Sequence, residues 1–359
     1  MEKIQTKHLP LLSLFIFITC GLYYFGLRPF NFFPKNQVEN VNSGLKFGPI
    51  GIAFTQDKIK VPQITSVTLE FALTPSSLPQ RNVPLIFSFI DNNHILLTIG
   101  QWKESLLIRS YDKTTSEKPF NEISSSSVLS VEDDFFITIA SASDHGAIYI
   151  NGKLVRESNV LGGIGAIFKS GTQMVMGNSP SGTNAWRGTI STFALYTQKL
   201  PENLIKEHYH RYHLGTLDYT ESKTPFLFYN LSNRENNNIY DRMGNNDLLV
   251  PWKFRALKRD FLVPIWVDFT FTRAYITDIL VNFWGFLPFG VAAYFFYTIF
   301  SKQPRKAAVL AVLSGLLISL SIEIIQITLP TRSSQMADLL FNTLGTLAGV
   351  LLVCKARKT

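Results

Sequence analysis

Cysteine is nearly absent from this sequence, which contains only Cys20 and Cys354 in 359 residues. Both lie in or beside apolar segments, so no disulfide can form in the long stretch between them. That stretch must be stabilised by its own hydrophobic core, which a domain of about 200 residues can provide. A lipoprotein cleavage site at Cys20 is disfavoured because the preceding residues, Phe17-Ile18-Thr19, lack the small side chains that such a site needs.

Acidic residues are also scarce relative to basic ones, with 26 Asp and Glu against 34 Lys and Arg, and the net charge is +8. A basic balance can indicate a nucleic-acid partner. Here, however, much of the positive charge forms short clusters beside apolar segments, and membrane topology explains that arrangement better. We therefore expect no nucleic-acid partner.

Long apolar runs are confined to the two ends of the chain. A bilayer core requires about 20 helical residues, and the predicted spans are Leu9–Leu27, Ile276–Phe300, Ala307–Leu329 and Met336–Val353. The first span could instead be a cleaved signal peptide. An uncleaved anchor is favoured because Tyr23, Tyr24 and Phe25 occupy the region where a small-x-small cleavage site is expected.

The loops beside these spans carry clusters of positive charge. The clusters are Lys3 and Lys7, then Lys302, Arg305 and Lys306, then Lys355, Arg357 and Lys358. Four spans place all of them on one side of the membrane, which the positive-inside rule makes cytoplasmic. We expect a multi-pass protein of the cell membrane with both termini in the cytoplasm and the central region outside.

The central region has the pattern of an all-β domain. The segment 66–73 alternates polar and apolar residues, as a half-buried strand does. Asn151-Gly152 lies between two apolar strands and predicts a tight hairpin, because both turn positions need positive φ. A short helix is predicted from about Pro201 to Tyr209, and the strand-like segment 225–251 is predicted to add edge strands to the same domain.

This succession of strands resembles the laminin-G-like, concanavalin A-like sandwich family over about 150 residues. The resemblance implies a two-sheet jelly roll and a carbohydrate- or protein-binding role, and some members hydrolyse glycans. Hydrolysis needs two carboxylates flanking a sugar bond, and no E-x-D-x-x-E pattern is present. Trp102 and Trp186 are the candidates for stacking on sugar, with core packing as the alternative for Trp186.

A calcium site at one of the turn acids, Asp91 or Asp144, is the alternative to an ordinary solvated turn. We expect no metal and no cofactor.

Polar residues recur at helical spacing within the C-terminal spans. They are Asp278 and Asn282; Ser319, Glu323 and Gln326; and Asp338 and Asn342, with Arg332 in the turn before the last span. Topology places them all near the outer end of the helices, and a polar group facing lipid is costly. We therefore predict a polar pocket in the outer leaflet. The alternative is that these side chains only join the helices by hydrogen bonds.

The same residues resemble the VanZ-like membrane family over about 80 residues. The matching patterns are Asp278-x-x-x-Asn282-x-x-Gly285-Phe286-x-Pro288-Phe289-Gly290, Ser319-Leu320-x-Ile322-Glu323-x-x-Gln326-x-x-x-Pro330-x-Arg332 and Asp338-x-x-x-Asn342-x-x-Gly345-x-x-x-Gly349. Residues 27–34 also look like the first outer turn of that family. The resemblance implies that the first helix belongs to the same bundle and that the sandwich is an insert. The family is named for low-level resistance to teicoplanin, but it has no established reaction, and the large insert departs from its minimal pattern.

The predicted fold class is a multi-domain membrane protein, with an all-α four-helix transmembrane bundle and an all-β jelly-roll sandwich. The predicted division is an N-terminal stub, first helix and first outer turn (1–36), the sandwich (37–251), an interfacial linker (252–275) and the remaining helices (276–359). The linker carries Trp252 and Trp266 among several cations, which suits an amphipathic segment on the outer membrane surface.

Two classes of function remain open. In the first, the sandwich binds glycan or protein in the cell envelope, while the bundle anchors it and holds a lipid headgroup or an antibiotic tail. In the second, the bundle is an enzyme or transporter for a lipid-linked envelope precursor, with Glu323 and Asp338 as acid/base candidates and Arg332 as a phosphate ligand. The first is favoured because no nucleophile with an adjacent base is visible in the helices. The oligomeric state is left open.

Overall fold

The computed structural model describes residues 8–27, 33–61, 63–79, 83–92, 94–111, 120–217, 224–269, 273–329 and 332–357. Several predictions fall outside these residues, namely those for Lys3, Lys7, Lys358, Pro330 and most of the first outer turn. The chain divides into a helical unit, made of residues 1–33 and 259–359, and a sandwich unit, made of residues 34–258.

The sandwich unit is built from two antiparallel sheets. The first sheet has the strand order β1-β2-β13-β4-β9-β10-β11, with β14 also paired to β13; the second has the order β15-β16-β3-β12-β5-β6-β7-β8. The strand bounds are β1 Val38–Val41, β2 Gly44–Phe47, β3 Ala53–Thr55, β4 Val67–Pro75, β5 Leu85–Asp91, β6 His94–Trp102, β7 Ser105–Ser110, β8 Asn121–Ser125, β9 Phe135–Ser141, β10 Gly146–Ile150, β11 Lys153–Ser158, β12 Gln173–Met176, β13 Gly188–Tyr196, β14 Leu227–Asn230, β15 Asn238–Ile239 and β16 Leu248–Leu249. The predicted sandwich is confirmed.

The core of the sandwich lies between the sheets and is rich in phenylalanine. The ring of Phe87 in β5 lies 4.9 Å from that of Phe71 in β4 and 5.2 Å from that of Phe193 in β13, measured between centroids. Because side chains alternate along a strand, the neighbours of Phe71 in β4 point to the opposite face. That face is covered by α2 (Glu202–His213), through Leu204 and Ile205.

Glu70 is buried on this covered face of β4. Its Oε2 lies 2.8 Å from Nδ1 of His208 on α2, and its Oε1 accepts a hydrogen bond from Thr138 at 3.3 Å. A buried carboxylate needs such partners. The pair therefore fixes the position of α2 on the sheet.

The predicted hairpin at Asn151-Gly152 is confirmed. β10 and β11 pair across these residues, and their φ angles are 51° and 71°. Both values lie in the left-handed region, which Asn and Gly tolerate best.

The strand-like segment near residue 225 belongs to the same sandwich. β14 pairs with β13 in the first sheet, while β15 and β16 extend the edge of the second sheet next to β3.

The two ends of the sandwich unit lie side by side. The N–H of Asn36 donates to the carbonyl of Trp252 at 3.0 Å, and the N–H of Phe254 donates to the carbonyl of Pro34 at 3.0 Å. Such adjacent ends suit a domain inserted into a loop.

The predicted linker is not one element. Phe254 and Ala256 are buried, and Lys258 is the last residue of the sandwich unit. In the described part of this segment, Ile265–Asp268 form a short helix (α3), and the last residues belong to α4 (Arg273–Phe300). Trp252 and Trp266 are exposed, at 62% and 77%.

The helical unit contains α1 (Leu9–Leu27), α4 (Arg273–Phe300), α5 (Pro304–Gln326) and α6 (Met336–Ala356). Within the described residues these are the helices long and apolar enough to cross a membrane. α5 begins before the predicted Ala307, because Pro304 occupies a first-turn position where its missing N–H has no cost.

Glycines bring α4 and α6 into close contact. A Cβ added to Gly345 of α6 would lie 2.1 Å from the carbonyl oxygen of Phe283. A Cβ added to Gly349 would lie 2.2 Å from the carbonyl oxygen of Leu287. The G-x-x-x-G in α6 therefore packs directly on the backbone of α4. α1 joins the same unit, since the ring of Phe15 stacks on that of Phe296 at 4.4 Å.

Candidate functional site

A cavity of about 500 Å³ lies within the helical unit. Its apolar wall comes mainly from α1, through Phe17, Leu22 and Phe25. Its polar groups come from α4, α5 and α6, and they are Asn282, Glu323, Gln326, Asp338 and Asn342. Tertiary packing thus brings together side chains that the sequence predicted to converge.

Hydrogen bonds join these polar groups to other parts of the bundle. Nδ2 of Asn282 donates to Oδ1 of Asp338 at 2.7 Å, which links α4 to α6. Nε2 of Gln326 donates to the carbonyl of Gly26 at 2.9 Å, which links α5 to the end of α1.

A buried pair of side chains, one of which lines the cavity, joins α5 to α6. Nδ2 of Asn342 donates to Oγ of Ser319 at 2.9 Å. Asn342 and Ser319 are both buried. In the described residues Oδ1 of Asn342 is buried and has no hydrogen-bond partner.

The side chain of Glu323 forms a hydrogen bond with the turn between α5 and α6. Its side chain is 1% exposed, and its Oε2 accepts the backbone N–H of Gln335 at 2.9 Å. Gln335 is the residue before the first turn of α6. The carboxylate therefore holds the start of one helix against the end of another.

Asp278 and Arg332 do not line this cavity among the described residues. Asp278 shares the face of Asn282 but lies one turn nearer the start of α4, where its side chain is exposed. Arg332 is half-buried in the turn before α6.

The two tryptophan candidates of the sandwich differ in exposure. Trp186 is 1% exposed, and its Nε1 donates to Oε1 of Gln101 at 2.7 Å, so it belongs to the core. The structure therefore agrees with the alternative for Trp186, which was core packing. Trp102 is half-buried at the end of β6, with the ammonium of Lys103 5.9 Å from its ring centroid.

A second cavity, of about 450 Å³, opens on the sandwich surface beside α2. We call it the tyrosine pocket. Its lining includes Asp134, Asn151, Ser191, Tyr209, Tyr212 and His213. The sequence did not identify it, because the predicted helix ended at Tyr209 and thus excluded Tyr212.

The carboxylate of Asp134 is held in place at this pocket. Its Oδ1 accepts from Oγ1 of Thr74 at 2.5 Å, and its Oδ2 accepts from the hydroxyl of Tyr212 at 3.1 Å. Burial, and then the charge of Asp134, raise the pKa of Tyr212 to about 12, although a hydrogen bond with Ser191 opposes this. Tyr212 therefore stays a neutral phenol at physiological pH.

Asn151 is fixed at the edge of the tyrosine pocket. Its Oδ1 accepts the backbone N–H of Phe136 at 2.8 Å. The ring of Phe136 in turn lies 5.1 Å from that of Tyr212 and 6.4 Å from that of Tyr209. The pocket therefore combines aromatic rings with an amide and a carboxylate whose positions are set by the fold.

The turn acids Asp91 and Asp144, for which calcium was the alternative, have other partners. Oδ1 of Asp91 lies 2.9 Å from Nζ of Lys58. Oδ1 of Asp144 lies 2.7 Å from Nδ1 of His145, and this hydrogen bond lowers the pKa of Asp144. Among the described residues, no group of three or more His, Cys, Asp or Glu is arranged to hold a metal ion.

Family comparisons divide the chain in two. Residues 51–206 match the concanavalin A-like lectin/glucanases superfamily, and residues 224–357 match VanZ/LLP1. The chain therefore combines a concanavalin A-like domain with a VanZ-like region, and both predicted resemblances are confirmed. The VanZ/LLP1 match begins before the helices, in residues that form β14, β15 and β16 of the sandwich.

The solved structures to which this chain is similar include three from diverse organisms. A protein of Bacteroides ovatus assigned as carbohydrate-binding has 14% identity over 63% of this chain and 60% of its own, with a TM-score of 0.42. This chain thus spans less than two thirds of that protein. A heptameric pentraxin of Limulus polyphemus has 14% identity over 48% and 79%, with a TM-score of 0.34.

The sialidase of Trypanosoma rangeli has 18% identity over 51% of this chain and 29% of its own, with a TM-score of 0.39. No curated protein matches the sequence.

Proposed function

We propose that this membrane protein, which joins a VanZ-like region to a concanavalin A-like sandwich, binds envelope glycan at the tyrosine pocket. The observation that carries the proposal is the fixed carboxylate of Asp134 beside the rings of Tyr209 and Tyr212. Aromatic rings supply apolar surface with a polar edge, which suits the C–H faces and hydroxyl groups of a sugar. A charged acceptor such as a carboxylate makes the stronger class of hydrogen bond with hydroxyl donors.

Preorganisation favours binding at this pocket. Thr74 and Tyr212 hold both oxygens of Asp134 before any ligand arrives. The side chain therefore loses little conformational entropy when it binds, which improves affinity.

The proposed topology places the sandwich outside the cytoplasm. Its support is the charge at the helix ends, since Lys302 lies in the α4–α5 turn and Arg305 and Lys306 lie in the first turn of α5. Lys355 and Arg357 lie at the end of α6. An even number of spans puts both clusters on the same side, and positive loops face the cytoplasm.

The bundle cavity suits an amphiphilic ligand such as a membrane lipid. Its wall from α1 is apolar, whereas Asn282, Gln326 and Asn342 supply polar groups on the other helices. The carboxylates proposed for catalysis already bind within the fold, Glu323 to Gln335 and Asp338 to Asn282. These contacts favour a structural and binding role over acid/base catalysis.

A glycan array with the purified full chain in detergent, including cell-wall polysaccharides, tests the glycan proposal. We expect Asp134→Asn and Tyr209→Ala each to weaken binding of the best ligand about tenfold or more, or about 1.4 kcal/mol. Tyr240→Ala is the matched control, because Tyr240 is an exposed aromatic residue of the sandwich that does not line the pocket.

Trp102→Ala separates this pocket from the other aromatic candidate. If Trp102→Ala lost glycan binding while Asp134→Asn bound normally, the glycan site would be at Trp102 and not at the tyrosine pocket. A wild-type chain that binds no glycan on the array would refute the proposal.

A further inference from the structure

A separate cavity of about 680 Å³ lies at the other end of the helical unit. It is formed where the α4–α5 turn meets the end of α6, and we call it the basic cavity. Its lining includes the cations Lys302, Arg305 and Arg357, and its floor includes Tyr294, Ala308 and Cys354. None of the described residues that line it is acidic.

We propose that the basic cavity binds a phosphate group carried by an anionic membrane lipid. Three cations that converge on one concave site create a positive potential, which is strongest where the walls exclude water. Cavities of about 300–1,000 Å³ are the usual size for small-molecule sites. Basic pockets between membrane helices at the positively charged face are suited to anionic headgroups.

Arg357 is held in position before a ligand arrives. Its guanidinium carbon lies 5.3 Å from the ring centroid of Tyr294 and 5.2 Å from that of Phe295. Contact with the ring faces orients the guanidinium, whose fork of N–H groups is of the kind that binds phosphate in pairs.

The start of α5 adds donors beside these cations. The helix begins at Pro304, and its preceding residue, Gln303, makes no side-chain capping bond. The first N–H groups of a helix lack intrahelical acceptors and carry the positive end of its dipole.

The surface next to the basic cavity suits acyl chains. On α5, the turns after Ala308 expose Val309, Leu310 and Leu313. A lipid whose phosphate enters the cavity can lay its chains along such an apolar surface. A free phosphate ion would make no contact with this apolar surface, so a lipid is the favoured source of the phosphate group.

The competing explanation is that these cations only set the topology of the loops. Lys306 provides the matched control, because it follows Arg305 directly, is exposed and carries the same charge but does not line the cavity. A topological role predicts equal effects for Arg305 and Lys306, whereas a binding site predicts an effect for Arg305 alone.

Native mass spectrometry of the purified full chain in detergent, titrated with phosphatidylglycerol or phosphatidylcholine, tests the proposal. We expect one phosphatidylglycerol to bind in preference to phosphatidylcholine. Arg305→Gln and Arg357→Gln should each weaken this binding about tenfold, whereas Lys306→Gln should change it less than about twofold. Thermal stability of each variant checks that the fold is intact.

Three results would overturn the proposal. The wild type could bind both lipids equally, or Lys306→Gln could weaken binding as much as Arg305→Gln, which would leave only a general effect of charge. Alternatively, inorganic phosphate could displace the lipid at a similar concentration, which would make the site one for free phosphate.

Discussion

The buried carboxylate of Glu323 has a partner on a different helix. Its Oε2 accepts the N–H of Gln335, the residue that precedes α6. The helix period and the apolar surroundings of Glu323 are visible in the sequence, but the acceptor role follows from the fold. Because of this contact, we expect a polar and an apolar replacement of Glu323 to differ in their effect on stability.

We expect Glu323→Gln to keep the thermal stability of the purified chain near that of the wild type, because the amide oxygen can still accept from Gln335. Glu323→Leu should destabilise the chain by about 1–3 kcal/mol, since the partly buried N–H of Gln335 loses its acceptor. The measurement is the fraction of folded chain after heating in detergent, followed by size-exclusion chromatography.

Equal stability losses in both variants would contradict the hydrogen bond and indicate that the negative charge itself is needed. A Glu323→Leu variant as stable as the wild type would remove the structural role. Loss of an envelope phenotype in a stable Glu323→Gln variant would revive the catalytic hypothesis.

At the scale of helices, glycine determines how closely α4 and α6 approach. Gly290 of α4 faces the backbone of Thr346, where an added Cβ would lie 2.1 Å from the carbonyl oxygen. Gly349 of α6 makes the reciprocal contact with α4. Since backbone atoms cannot move aside as a flexible side chain can, these positions require the absence of a side chain.

Gly349→Val should therefore separate α4 from α6 and lower the midpoint of thermal unfolding by several degrees. The matched control is Gly285→Ala on α4, because a Cβ there would meet nothing within 4 Å. In a helix, Ala is favoured over Gly by about 1 kcal/mol, so the control should be neutral or stabilising. A neutral Gly349→Val would contradict the close contact.

At the scale of the whole molecule, the proposed topology has a direct test. In a chain whose Cys20 and Cys354 are replaced by Ser, a cysteine introduced at Glu157 or Ser333 should react with an impermeant maleimide added to intact cells. Both positions are exposed in the structure. A cysteine at Gln303, which is exposed in the α4–α5 turn, should react only after the cells are permeabilised.

Labelling of the cysteine introduced at Gln303 in intact cells would show that the topology is the reverse of the one proposed. Ser334 is a poor choice for this experiment, because it is buried and its Oγ accepts the N–H of Leu262 at 3.1 Å. The same measurement reports the side of the basic cavity, since Gln303 lies at its edge.

The sequence by itself determined the elements that depend on local pattern. Apolar length predicted the spans, because transfer of a helix into lipid depends on its composition. Alternation predicted β4, and Asn151-Gly152 predicted the hairpin, because side-chain period and positive φ are properties of neighbouring residues. The polar residues of α5 and α6 were also identified, since their helical spacing puts them on one face of each helix.

Only the tertiary structure decided which side chains meet and which are exposed. Tyr212 lies 78 residues from Asp134 in the sequence, yet their side chains share the tyrosine pocket. Trp186 is buried, an outcome that its local pattern left open, and Asp278 is exposed, although its helical spacing predicted it to face the pocket. These results depend on contacts between distant strands and helices, whose geometry is set by the packing of the whole core rather than by any short segment.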